Sequence, residues 1–110
     1  MTRLTSALWV SAYRQRLGLL GISCFVQTRG DSTAGAVLIK LCTMDGNATL
    51  FHRQIDLMSG GRTWVTLVEG SEALCDASIA KQCSFDPDLW VIEVEDPHGR
   101  HLLDEPGLSE

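Results

Sequence analysis

The chain has 110 residues, 45% hydrophobic and 21% charged, with a formal net charge of −5 and a sequence pI near 5.0. That length suits one domain with one core, and the composition lies outside the range of disordered chains. No apolar run approaches the ~20 residues of a spanning helix, and the acidic pI without any Lys/Arg cluster argues against both membrane insertion and a nucleic-acid surface.

Taken in chain order, Ser6 can cap a helix over Ala7–Leu20 that Gly21 stops; Leu8, Trp9, Ala12, Tyr13, Leu17 and Leu20 recur at helical spacing. Ile22–Thr28 reads as a strand ended by the polar turn Arg29-Gly30-Asp31-Ser32. Gly35–Cys42 is apolar on both alternating faces, which predicts a central strand covered on both sides. Met44-Asp45-Gly46-Asn47 is a hairpin signal, with Asp-Gly suited to a type I′ turn, so Ala48 to about Gln54 forms the next strand. After a loop ending Ser59-Gly60-Gly61, Arg62–Glu69 alternates as a strand that can pair with it. Ser71 caps a helix to about Cys83, with Leu74, Cys75, Ala77, Ser78 and Ile79 in its packing stripe. Pro87 sets a boundary before a final strand, Leu89–Glu95, and His101-Leu102-Leu103 could return as a short strand. The order α-β-β-β-β-α-β predicts an α+β fold: a mostly antiparallel sheet of four to five strands with both helices packed on it. Residues 1–110 form a single domain, with 105–110 a flexible tail.

The net charge conceals an asymmetry. Through Arg62, seven Lys/Arg stand against three Asp/Glu; beyond it, two stand against eleven, seven of them between Asp86 and Glu105. Within so small a domain, the basic and acidic parts are expected to meet each other or a second copy.

Candidate chemistry concentrates around the last strand. Glu93 and Glu95 leave one face of it, a geometry open to acid/base work or cation binding, although a strand face commonly carries charge paired with a neighbouring arginine. Asp86 and Asp88 flank Pro87 as turn residues, and His98 and His101 straddle a glycine turn beside Asp96 and Asp104. Asp86, Asp88, His98 and His101 are the alternative metal set, without finger-like spacing or a calcium-loop pattern. His52 is a lone histidine. Arg29-Gly30-Asp31 matches an integrin-recognition tripeptide, yet as physical chemistry it is a tight polar turn ahead of a buried strand. Cys24, Cys42, Cys75 and Cys83 contain no C-x-x-C pair and read as reduced thiols, and no uninterrupted leader is visible, so a cytoplasmic location is expected. The phosphate-loop, dinucleotide and serine-hydrolase signatures are missing, and no cofactor is implied.

The whole-chain layout resembles a bacterial family of small proteins known only as a domain of unknown function. The resemblance rests on Leu8-Trp9-Val10-Ser11-Ala12-Tyr13, on Arg29-Gly30-Asp31 leading to Ala34-Gly35-Ala36-Val37, and above all on the run from Phe85 to Asp96 followed by Gly99-Arg100-His101. It implies a short, single-domain, cytoplasmic protein and supplies no activity or catalytic residue.

The expectation is therefore a non-enzymatic interaction or oligomerisation module, most simply a homodimer, with Arg29, Asp31, Trp90, Glu93 and Glu95 as its interaction candidates. The alternatives are a metal-dependent hydrolase using Asp86, Asp88, Glu93 and Glu95 with His98 or His101, or an anion or nucleotide binder using Arg14, Arg29 and Arg62; Arg3, Arg14, Arg16 and Arg62 could together form no more than a modest basic patch.

Overall fold

A computed structural model describes residues 4–109, which leaves Arg3 and Glu110 outside the described residues. The elements are α1 (Ser6–Leu19), β1 (Ser23–Thr28), β2 (Val37–Cys42), β3 (Asn47–Ile55), β4 (Arg62–Ser71), α2 (Glu72–Phe85) and β5 (Trp90–Glu95). They build an α+β fold around one five-stranded sheet, in the order β1-β5-β2-β3-β4. Three neighbouring pairs are antiparallel, and β2–β5 is parallel. The sheet is therefore mostly antiparallel, as expected, with one parallel pair that makes it mixed. The parallel pair arises because α2 carries the chain from the β4 edge back across the sheet to insert β5 between β1 and β2.

The two helices lie on opposite faces. One core gathers Trp9, Tyr13 and Leu17 of α1 with Ile39, Ile92 and Val94; the other packs Cys75 and Ile79 of α2 on Leu38, Leu50 and Val91. Each large apolar side chain so buried contributes roughly 1.5–3 kcal/mol. β2, buried at all six positions, is the central strand its two-sided apolar pattern predicts. The helix stripes are narrower than their sequence spacing suggests, because Leu8, Leu20 and Leu74 are exposed. On α1 the packing instead uses Val10, buried between Trp9 and Tyr13 in the sequence.

Local differences have physical causes. Thr5 rather than Ser6 caps α1 by accepting from the Leu8 N–H, because the Ser6 hydroxyl is spent on the Gly35 carbonyl at 2.6 Å. The β2–β3 hairpin forms where Asp-Gly predicts it, but with positive φ at Met44 and Gly46, which is not the type I′ pattern. There the Asp45 carboxylate accepts from the Thr43 hydroxyl and the Asn47 N–H, bonds that hold its pKa below the ordinary value.

Residues 101–103 form no strand, and 105–109 are a strap rather than a loose tail. Leu103 and Leu108 enter the α1 core, the Leu108 carbonyl accepts from Trp64 Nε1 at 2.9 Å, and Arg16 reaches the Pro106 carbonyl and the Glu105 carboxylate. Two isolated leucines in a polar stretch carry no periodicity, so the docking was not legible in the sequence.

The segment that leads from β5 to the strap begins at Asp96, which is buried and accepts from the Arg100 side chain and from the backbone N–H groups of Arg100 and His98. The Arg100 hydrogen bond and the other bonds outweigh burial and hold the Asp96 carboxyl at about 2. A carboxyl held below its unfolded value of ~3.9 stabilises the fold above that pH and loses its contribution as pH falls toward its native value. Asp96→Asn is expected to lower stability at pH 7 and to flatten the decline between pH ~4 and ~2. Chemical denaturation across that window measures both, and an unchanged pH slope in the variant would contradict the assignment.

Candidate functional site

Because β5 inserts between β1 and β2, their connection, residues 29–36, must cross the start of β5. The crossing is close. A Cβ at Gly30 would collide with the Asp88 carbonyl, Leu89 and, at 2.6 Å, Trp90 Cδ1, and one at Gly35 would strike Asp88 and Asp31. The Asp31 N–H donates to the Asp88 carbonyl at 2.9 Å, and Trp90 Nε1 donates to the Asp31 carbonyl at 2.7 Å. The Asp31 carboxylate accepts from the Thr33 and Ala34 N–H groups, while the Arg29 guanidinium sits 5.3 Å from the centroid of the Trp90 ring. The carbonyls of Ser32 and Thr33 accept from the first N–H groups of α1. Three separate sequence blocks thus form one latch, in which Trp90 is buried, the Asp31 backbone is engaged by Asp88 and Trp90, and the Asp31 and Arg29 side chains remain exposed.

Glu93 belongs to a different cluster. Lys40, on the α2 face of β2, has a side chain only 4% exposed and lies 2.8 Å from Asp76, 3.2 Å from Glu93 and 3.3 Å from Glu72. Burial pulls the ammonium's pKa down, but the hydrogen bonds to Asp76, Glu93 and Glu72, helped by nearby Cys42, more than compensate and hold it above its ordinary value. Burial, and then the charge of Glu93, push the neighbouring Cys42 thiol up to about 12. The predicted meeting of basic and acidic parts is realised here. Its cation went unnoticed in the sequence because one lysine in an apolar run reads as a strand residue; its only signal was its place on a strand covered on both faces. Glu95 is half-buried on the same face of β5, beyond Glu93.

The metal set is not brought together. Asp86 and Asp88 precede β5 while His98 and His101 follow it, so a six-residue strand, spanning roughly 17 Å, separates the pairs. Asp86 instead accepts from the Asp88 N–H, and His101 Nδ1 from the Leu103 N–H. Among the described residues, no group of three His, Cys, Asp or Glu side chains is placed to hold a metal ion.

The open features lie at the other side of the sheet. The β2–β3 ladder stops at Ile39↔Phe51, yet β3 and β4 continue together through His52↔Val65, Arg53↔Trp64, Gln54↔Thr63 and Ile55↔Arg62. The end of this hairpin therefore departs from β2 as an arm. At its base is a cleft of about 680 Å³ lined by His52, Arg53 and Arg62, by Thr33–Leu38, and by Gln82 and Asp86 of the α2 end. Arg53 is positioned by two indoles, its guanidinium 5.0 Å from the Trp9 centroid and 4.9 Å from that of Trp64. Of the predicted anion-binding arginines Arg14, Arg29 and Arg62, only Arg62 lines this cleft; Arg53 and His52 were missed because the splaying of β3 from β2 leaves no mark in the sequence.

At the arm's tip the turn is tied by its own hydrogen bonds. The Asp56 N–H donates to the Gly61 carbonyl at 2.7 Å, and the Asp56 carboxylate accepts from the Met58 N–H and the Ser59 hydroxyl, which holds its pKa below the ordinary value. Three apolar side chains project from this tip: Ile55 is 65% exposed, Leu57 93% and Met58 96%.

A family model described as "Protein of unknown function (DUF1491)" matches residues 4–104. Among solved structures, the crystal structure of a DUF1491 family protein from Caulobacter crescentus CB15 is 37% identical, covers 96% of this chain and 97% of its own, and superposes with a TM-score of 0.84. The NMR structure of a DUF1491 family protein from the same organism gives 38% identity, the same coverage and a TM-score of 0.83. The solution structure of protein Atu0922 from A. tumefaciens is 27% identical over 86% of each chain, with a TM-score of 0.74. No curated protein matches the chain.

Proposed function

The chain belongs to the DUF1491 family, whose function is unknown, and from its own geometry we propose that it is a non-enzymatic protein-interaction and oligomerisation module of the bacterial cytoplasm. The β3–β4 arm carries this reading. Its tip is held in shape by its own hydrogen bonds, yet Leu57 and Met58 are left almost wholly in water, an arrangement that costs solubility and contributes nothing to the core. Apolar side chains projecting from a turn tied by its own bonds suit an association surface, since the turn has little backbone entropy left to lose on contact. The four free thiols suit a reducing compartment, and among the described residues no helix is long and apolar enough to cross a membrane.

Light-scattering mass as a function of concentration tests the reading. The parent chain is expected to exceed 12.1 kDa, and Leu57→Asp/Met58→Asp, at unchanged melting temperature, is expected to return to it. If the variant associates as the parent does, the arm is not the surface.

The cleft supports a second reading, binding of a small phosphate- or carboxylate-bearing ligand, because two guanidinium groups and an imidazole line one concavity and Arg53 is held in place by two indoles. Inorganic phosphate or a nucleotide should then raise the melting temperature saturably, and Arg53→Gln should abolish the rise measured from its own baseline. No rise at millimolar ligand removes this reading.

A further inference from the structure

We infer that the partner of the arm is a second copy of this chain, joined by antiparallel pairing of the two β4 edges about Val65. The inference rests on the reading of the arm as the association surface and adds its occupant and register. β4 ends the strand order, so its ladder is made on one side only, by β3. It is ten residues long, contains no proline or lysine, and carries two charges, Arg62 and Glu69, whereas long edges that stay single are commonly blunted by such residues.

The bulge in β4 selects the register. Phe51 pairs with Thr66 and Leu50 with Val68, so Leu67 stands outside the ladder. Arg62, Trp64, Thr66 and Glu69 consequently lie on the α1 side of the strand, and Thr63, Val65 and Val68 on the α2 side. A two-fold axis perpendicular to the sheet keeps like faces together. With Leu67 omitted from both copies, Val65 meets Val65, Trp64 meets Thr66, Thr63 meets Val68 and Arg62 meets Glu69. Every pair then shares a face, and the only two charges on the strand oppose each other twice. A one-residue slip would put the side chains of each pair on opposite faces and separate the charges. The same register carries each Leu57–Met58 tip past the other copy's Ser71 toward Leu74, which is 53% exposed on the first turn of α2. Glu69, Thr63 and Thr66 are all exposed and available for the contact.

The test is light-scattering mass on the full chain, its Glu69→Arg variant and the double reversal Arg62→Glu/Glu69→Arg. The expected result is a parent mass of twice 12.1 kDa, a Glu69→Arg dissociation constant raised at least about tenfold by two like-charge pairs, and recovery in the double reversal. Melting temperatures confirm that each variant is folded. A parent mass of 12.1 kDa at every concentration overturns this inference and the arm reading together. A dimer that survives Glu69→Arg but is lost in Leu57→Asp/Met58→Asp overturns the edge pairing alone. Loss in the single variant without recovery in the double overturns the Arg62–Glu69 register.

Discussion

Replacing Gly30 by alanine is expected to destabilise the protein by about 3 kcal/mol and lower its melting temperature by roughly 12 °C. The added methyl has no space: it meets the Asp88 carbonyl and the backbone at Leu89, besides Trp90 Cδ1 at 2.6 Å. Backbone cannot rotate aside as a side chain does, so relief requires the crossing loop to lift from β5. Lifting it stretches the Asp31–Asp88 and Trp90–Asp31 hydrogen bonds and the seat of the α1 N-terminus on Ser32 and Thr33. Gly18→Ala is the matched control, because a Cβ there meets nothing within 4 Å and alanine favours the helix. Thermal unfolding of the two variants decides the matter. Equal stabilities would show that the crossing accommodates a side chain and that the latch is not tight.

Lys40→Met is expected to cost about 2–3 kcal/mol. Removing one member of a buried ion pair typically costs 3–5 kcal/mol because the remaining charge is stranded. The lower figure applies here because the Glu72 and Asp76 side chains are 43% and 52% exposed and can turn to water, whereas Glu93, at 16%, cannot. Lys40→Met/Glu93→Leu should therefore recover much of the loss, since an apolar pair in that layer leaves no unpaired charge. A double-mutant cycle by urea denaturation measures the coupling. If the two losses simply add, Lys40 and Glu93 do not depend on each other, and the cluster is a set of independent surface contacts.

These variants also separate what is local from what is not. In sequence Gly30 looks like an ordinary turn residue and Gly35 like the start of a strand, and only the insertion of β5 between β1 and β2 makes them points of contact. The acidic strand was the most conspicuous feature of the chain, yet Glu93 serves Lys40, Asp96 anchors the strap through Arg100, and Asp86 and Asp88 shape a turn. Carboxylates close in sequence on one strand are spread along its length, and each finds its partner on another element.

Periodicity, capping residues and turn signals depend on neighbours within a few positions, and from them the sequence by itself determined the seven elements, their order, the central place of β2 and the two-sided burial of its apolar run. The charge asymmetry likewise determined that acidic and basic parts would meet, as they do at Lys40 and at Arg16–Glu105. Strand order, the placing of the helices on opposite faces, the docking of Leu108, and the parting of β3 from β2 that creates both cleft and arm were decided only by the tertiary structure. The physical reason is range: each depends on which distant surfaces meet, and the hydrophobic effect that drives them together is non-directional and fixes no partner until the shapes are assembled.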